Sequence, residues 1–414
     1  MKKILMICLI ALVAVSAFAG GSKEQAAAAE GEYANVKIGF IFLHDPASST
    51  YDNNFYQAAL EVQKELGLSD DQCIFKWNVP EGPECQDTAE EMADAGCKIV
   101  FADSFGHETY MIEAAKNYPD VQFCHATGTQ SRTVGVANYH NAFASIYEGR
   151  YLAGVAAGLK LNELKEAGAL KGDHPVMGYV GAFTYAEVIS GYTSFYLGAK
   201  SVCPDVTMKV QFTGSWYDET EEKNAAEALI AAGADLISQH ADSMGAPSAC
   251  EDAGIPNVSY NGSTVANCPN TFIVSSRIDW TPYLEYAIKA AMNGESIDAD
   301  WTGTLGTQSV VLTEVNDKAA AKDTQAKIDE VKAKLESGEL HVFDTSTFTV
   351  QVDEANKINL GAKVDAEGHL TSYMADVDTD EAYEGDTEVI SDGYFHESEY
   401  RSAPYFDLGI DGIT

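Results

Sequence analysis

The sequence predicts an α/β protein made of two similar halves, each a parallel sheet covered by helices. Two observations carry that reading. Short apolar runs alternate with segments of helical spacing, and this series runs once and then restarts. The length of 414 residues suggests two domains and allows two cores.

The first series opens with Val36 to Leu43, an apolar β run. Asn54 to Leu66 follows as a helix, with Phe55, Ala58, Ala59, Val62 and Leu66 on one face. Strands are expected at Cys73–Val79, Lys98–Ala102, Val121–His125 and Thr133–Tyr139, with helices at Glu84–Ala95 and Glu108–Asn117 between them. The second series begins with a long helix, Ser145–Leu161, whose small-residue face holds Gly149, Ala153, Gly154, Ala156 and Ala157. Strands at Val176–Val180, Thr207–Phe212 and Leu236–His240 then alternate with helices at Ala186–Ser201 and Glu219–Ala232. A short helix near Ala246–Ala253, strands at Val258-Ser259 and Phe272-Ile273, and a helix at Thr281–Met292 complete it. From Thr345 to Thr414 there are 16 acids against three bases. This tail reads as an acidic appendage, with Tyr394, Phe395, Tyr400, Tyr405 and Phe406 packing parts of it onto the body. The acids Asp376, Asp378 and Asp380 lack the glycine and terminal glutamate of a calcium loop and read as charged surface.

Charge excludes some partners. There are 63 acidic and 26 basic residues, a formal charge of −37. So acidic a chain is a poor binder of nucleic-acid backbones or anionic lipid. Hydrophobic residues at 46% and charged residues at 21% mark a globular chain.

Met1-Lys2-Lys3, the apolar run Ile4–Phe18 and Ala17-Phe18-Ala19 form a secretory pattern. The run is shorter than the ~20 residues a membrane span needs. The expected product is exported or periplasmic, cleaved after Ala19, with residues 20–34 as a tether. Gly20-Gly21 stands where a lipoprotein would have cysteine, so no lipid anchor is expected. Seven cysteines remain, an odd number without Cys-x-x-Cys spacing, and they read mainly as small buried hydrophobes.

No Gly-x-Ser-x-Gly, P-loop, Gly-x-Gly-x-x-Gly or His-Glu-x-x-His motif occurs. Neither an enzyme activity nor a metal or cofactor is therefore expected. A hydrolase acting on nucleosides would need a metal-binding carboxylate cluster or paired carboxylates, and neither is legible. The strand ends instead combine aromatics with hydrogen-bonding groups, where open α/β sheets bind ligands. The clusters are Tyr51-Asp52-Asn53-Asn54-Phe55, Asp103-Ser104-Phe105-Gly106-His107, Ser215-Trp216-Tyr217-Asp218, Gln239-His240-Ala241-Asp242-Ser243 and Asp279-Trp280. Aromatic faces can stack on a planar heterocycle, at roughly 1–3 kcal/mol per base, while amides and carboxylates read its edge.

Several stretches resemble one subgroup of the basic membrane protein family of solute-binding proteins, the PnrA-like group. They include Asn78-Val-Pro-Glu-Gly-Pro83, Phe101-Ala-Asp-Ser-Phe-Gly106, His125-Ala-Thr-Gly128 and Tyr147-Glu-Gly-Arg-Tyr-Leu-Ala-Gly154. Phe195-Tyr-Leu-Gly-Ala-Lys-Ser201, Ser215-Trp-Tyr-Asp218 and Gln239-His-Ala-Asp-Ser243 fit the same subgroup. The resemblance runs from about Val36 to Glu339 and leaves the tail uncovered. It implies a type I periplasmic-binding-protein fold: two Rossmann-like lobes, a three-crossover hinge and a ligand cleft between them. The expected division puts 35–140 and 272–300 in one lobe, 141–271 and 301–344 in the other, and 345–414 in the appendage. The resemblance also implies a purine ligand, an ABC permease as partner and a monomer.

Nucleoside-binding members carry Asp-x-Ser-Phe-Asn in the first loop, matched here by Asp52, Asn54, Phe55 and Tyr56. They hold ribose with an acid and a lysine, at places corresponding to Asn261 and Asp279. Loss of that lysine and one carboxylate argues for a free base such as adenine. The base-reading subgroup has Gly-Trp-Thr-Tyr where this chain has Ser48-Ser49-Thr50-Tyr51, so Tyr51 stands in for the stacking tryptophan. In the resulting picture Tyr51 and Phe55 stack on one ring face, and Phe183 or Trp216 on the other. Phe105 is a further ligand-contact candidate. Asp52, Asn53, Ser104, Gln239 and Asp242 read heteroatoms, Asp279 and Trp280 line the hinge side, and Asn261 is a further ligand-contact candidate. A nucleoside carrier or a sensor subunit presenting ligand to a membrane receptor is the alternative.

Overall fold

The computed structural model describes residues 35–377 and 387–414. The expected signal segment, its cleavage after Ala19 and the tether lie outside the described residues, as do Asp378 and Asp380.

The first half builds β1 (Ile38–Ile41), α1 (Thr50–Glu65), β2 (Cys73–Lys76), α2 (Pro83–Asp94), β3 (Ile99–Ala102), α3 (Glu108–Asn117), β4 (Gln122–Ala126) and β5 (Tyr139–Ala144). Phe55, Ala58, Ala59 and Val62 bury the inner face of α1, as their spacing requires. Its N-terminus is capped by Ser49, whose side chain accepts from the Asp52 amide. The helix thus starts earlier than the apolar residues alone suggest. The strand expected at Thr133–Tyr139 lies at β5 instead. Gly135 turns the backbone at φ 68°, and the next fully buried run is Tyr139–Ala144.

The chain then passes into α4 (Ile146–Glu166) and the second half. This comprises β6 (Val176–Gly181), α5 (Ala186–Val202), β7 (Thr207–Phe212), α6 (Glu219–Ala231), β8 (Leu236–Gln239), α7 (Gly245–Ala253), β9 (Asn257–Tyr260) and β10 (Phe272–Ile278). Next come α8 (Thr281–Asn293), β11 (Asp300–Gly303), β12 (Val310–Leu312) and α9 (Thr324–Ser337).

Among the described residues there are two six-stranded sheets, ordered β11-β5-β4-β3-β1-β2 and β12-β10-β9-β8-β6-β7. Every pairing in them is parallel except that of β10 with β12. The chain crosses between the sheets after β5, after β10 and after β11. The expected division is corrected at each crossing. Residues 141–144 stay in the first sheet as part of β5. Phe272–Ile278 belongs to the second, where its buried run pairs with β9. Residues 301–303 return to the first sheet beside β5.

Each sheet is covered on both faces. The first packs α2 and α3 on one side, through Met92, Met111 and Phe123, and α1 and α8 on the other. The second packs α6 and α7 through Leu229, Cys250 and Ile237, with α4 and α5 opposite. The small face of α4 lets α5 approach closely: a Cβ on Gly154 would lie 2.0 Å from the Phe195 carbonyl oxygen, and one on Gly198 2.0 Å from that of Tyr151. The seven described cysteines are all buried and unpaired. Burial pushes the Cys73 and Cys124 thiols up to about 12.

The tail is laid onto this body. Phe395, Tyr405 and Phe406 are buried in the core shared with both sheets, and Phe343 stacks on Phe406 at 4.4 Å. Ser402 donates from its backbone to Asp300 at 2.8 Å, while Asn141 donates to its hydroxyl at 3.0 Å. Farther on, Met208 donates to Gly412 and Thr414 to Met208, both at 2.9 Å, so the tail also pairs with β7. It therefore holds one edge of each sheet.

Candidate functional site

The carboxyl ends of both sheets face a small cavity of about 30 Å³. Ligand sites of open α/β folds lie in such a place. From the first sheet come Leu43 after β1, Asp103, Ser104 and Phe105 after β3, Thr127 after β4, and Tyr51 and Asp52 on the first turn of α1. From the second come Glu187, Trp216, His240, Asp242, Tyr260 and Asn261.

The two walls touch. Thr50 donates from its amide to the Asp242 carbonyl at 2.9 Å, and from its hydroxyl at 3.1 Å. Phe105 stacks on Tyr185 with centroids 5.1 Å apart, and His44 lies 5.3 Å from the Tyr217 ring. This is a closed arrangement around the cavity.

Its polar lining is rich in unsatisfied groups. Among the described residues, Asp103 Oδ2, Thr127 Oγ1, the Tyr260 hydroxyl and both amide atoms of Asn261 are buried without a hydrogen-bond partner. Leaving a buried polar group unmade costs about 1–3 kcal/mol, so such a cluster awaits a ligand. Thr127 and Asn261 also sit in the left-handed region, at φ 75° and 64°. For a β-branched threonine this is strained backbone, which collects at ligand sites.

The carboxylates divide into two kinds. Burial acts to raise Asp52, but hydrogen bonds from His44 and Ser49 outweigh it and hold the acid below its ordinary value. Asp103 is pushed well up, first by burial and then by the charge and side-chain contact of Asp52. Asp242 is also pushed well up, by burial and then by Asp52. With Glu187, four carboxylates line one buried cavity, and such crowding disfavours full ionisation.

Of the residues expected from sequence, the structure brings Tyr51, Asp52, Ser104, Phe105, Trp216, Asp242 and Asn261 to this cavity. Tyr51 is anchored by donating to the Asp103 carbonyl at 2.6 Å. The others lie elsewhere. Phe55 is core, 1% exposed, packed edge-on against Phe42. Trp280 is fully buried against Phe55 and Phe143, because it follows the second crossing and fills the space under α8. Phe183 stands one ring back, stacked on Tyr185 and edge-on to Trp216. The Gln239 side chain accepts from Asn257 at 3.0 Å instead of facing the cavity. Asn53 and Asp279 line a separate, open polar groove of about 490 Å³ that shares Asn261 with the cavity. There Asp279 pairs with Arg277 at 3.1 Å. Sequence reasoning gave no site role to Leu43, Asp103, Thr127, Glu187, His240 and Tyr260, although Asp103 and His240 stand in clusters it singled out. Each ends or follows a strand, or opens the next helix, and that position was the available signal.

A family profile described as ABC transporter substrate-binding protein PnrA-like matches residues 36–345. The chain belongs to this family. Family members are substrate-binding proteins of transport, not enzymes. A purine-binding protein of Brucella abortus is 33% identical over 348 residues, covering 83% of this chain and 93% of that protein. An ABC transporter nucleoside-binding protein of Lactococcus lactis is 27% identical, covering 59% of this chain and 66% of its own length. A solute-binding protein of an ABC transporter from Aeropyrum pernix has the same fold. Its TM-score is 0.63 at 15% identity, covering 78% of this chain and 95% of that one. The family match stops where the acidic tail begins. No helix among the described residues is long and apolar enough to cross a membrane.

Proposed function

We propose that this protein captures a free purine base of the adenine type outside the cytoplasm and delivers it to the transmembrane subunits of an ABC permease. The observation that carries this reading is the cavity between the touching walls, with its unpaired buried amide, hydroxyls and carboxylate. Tyr51, Phe105 and Trp216 offer aromatic surface, while Asp103, Asp242 and Asn261 offer edge-reading groups. The purine-binding relative from Brucella supports the same ligand class. Closure would bury the base between the sheets, and the permease would meet the closed form.

A nucleoside is the second reading. It is favoured by the polar groove that meets the cavity at Asn261. Calorimetric titration of unfolded, stripped and refolded protein separates the two. Micromolar or tighter adenine binding with adenosine much weaker supports the base. The reverse order supports the nucleoside. Silence with adenine, guanine, hypoxanthine and adenosine alike would end the purine reading.

A further inference from the structure

Behind the cavity wall lies a buried cation with no carboxylate against it. Arg150, on the first turns of α4, is 1% exposed. Its guanidinium sits 3.3 Å over the centre of the Tyr260 ring. Nη1 donates to the Gln239 carbonyl at 3.0 Å, and Nη2 contacts His240 Nδ1, also at 3.0 Å. A guanidinium only donates. His240 Nδ1 must therefore accept, which leaves the ring hydrogen on Nε2. Nε2 lies 3.3 Å from Glu187 Oε1. Burial, with Arg150 adding to it, outweighs the hydrogen bond to Glu187 and pushes His240 below its ordinary value, which favours the neutral ring. Gly191 of α5 leaves the room: a Cβ there would lie 3.1 Å from His240 Nδ1. Glu187 itself lines the cavity, and its Oε2 accepts no hydrogen bond among the described residues.

We propose that Arg150, His240 and Glu187 form a positioning relay that presents a fixed carboxylate acceptor to the ligand, so that the pocket selects a base offering an N–H donor to this wall. The inference rests on the purine reading above. The geometry gives each member a role. Arg150 sets the tautomer of His240. His240 aims and holds Glu187. Glu187, an obligate acceptor, meets the ligand. The cation is held by Tyr260, Gln239 and His240 behind the wall, outside the cavity lining, with its Nε unpaired. Free phosphates and nucleotides would meet four carboxylates there, Asp52, Asp103, Glu187 and Asp242.

The test is titration of wild type, Glu187→Gln, His240→Gln, His240→Leu and the double variant Glu187→Gln/His240→Leu. The ligands are adenine, guanine and hypoxanthine, and thermal midpoints are recorded alongside. For the base that wild type binds best, Glu187→Gln and His240→Leu each weaken binding at least tenfold. The double variant loses little more than either, because both break one unit. His240→Gln retains affinity within about fivefold, since its amide can accept from Arg150 and donate to Glu187. Glu187→Gln binding as wild type would overturn the proposal. So would His240→Gln falling as far as His240→Leu, which would make the histidine a matter of shape alone. If His240→Leu does not fold, Glu187→Gln and His240→Gln still decide. A wild type silent to all three bases would instead fail the purine reading itself.

Discussion

Replacing Asp103 by asparagine should make the ligand-free protein more stable and its ligand binding weaker. The carboxyl is fully buried. Oδ1 accepts one hydrogen bond, from the Leu43 amide at 3.2 Å, and Oδ2 accepts none. Burial first, and then Asp52, raise its acid well above the ordinary value. A carboxyl raised in the folded state binds its proton more tightly there than in the unfolded chain. The penalty is therefore absent below the unfolded value of about 3.9, grows as pH rises, and levels off above the folded value. Asparagine does not titrate, keeps the acceptor for Leu43, and can donate to Asp52. Relieving one unsatisfied buried group is worth about 1–3 kcal/mol. Urea unfolding of ligand-free wild type and D103N at pH 4, 6 and 8 should show a stability gap near zero at the lowest pH and about 1–3 kcal/mol at the highest. If the ligand donates to this carboxylate, loss of a charged hydrogen bond of about 1.5–3 kcal/mol weakens binding about 10- to 150-fold. A less stable D103N at pH 8, or a gap constant across the range, would refute the reasoning.

Three further outcomes follow from the packing. Gly198→Ala places a Cβ 2.0 Å from the Tyr151 carbonyl oxygen and must push α4 from α5. We expect a loss of about 1–3 kcal/mol or more, read as a lower urea midpoint. Tyr185→Ala removes the ring stacked on Phe105 across the closed walls. An aromatic pair is worth about 0.5–1.5 kcal/mol, so ligand release in stopped flow should speed up about 2- to 13-fold, and an unchanged rate would mean the contact does not hold the walls together. Ser402→Ala removes the hydroxyl that joins Asn141 and Asp300 to the tail. Amide exchange should then quicken over Asp300–Gly303, with loss of about 1–2 kcal/mol of local protection.

Much of this architecture was legible because each sheet is buried on both faces. Runs such as Ile38–Ile41 and Ile99–Ala102 are apolar throughout and bounded by polar loops. The chain's crossings were not legible. Nothing local in Phe272–Ile278 or Asp300–Gly303 says which sheet takes the strand. The site was half legible. Tyr51, Phe105 and Trp216 stand beside polar residues at strand ends and reach the cavity. Phe55 and Trp280 show the same local pattern yet point into the core, because only the crossing geometry decides which aromatic is covered. Glu187, His240 and Arg150 were hidden for another reason. Their relation spans two helices and a strand end and exists only once α4 and α5 are packed.

The path between the two sheets also limits how the gene can be divided. The first sheet is finished by β11, which the chain reaches only after β6 through β10 have been laid down. Any fragment that stops before Asp300 leaves β5 as an unpaired parallel edge, an invitation to wrong pairing. Any fragment that lacks Val310–Leu312 strips the outer strand from β10 in the same way. No single cut therefore releases either sheet whole. A split reporter or an isolated half would have to be made by permuting the reading frame so that the pieces on either side of the crossings are joined by new linkers.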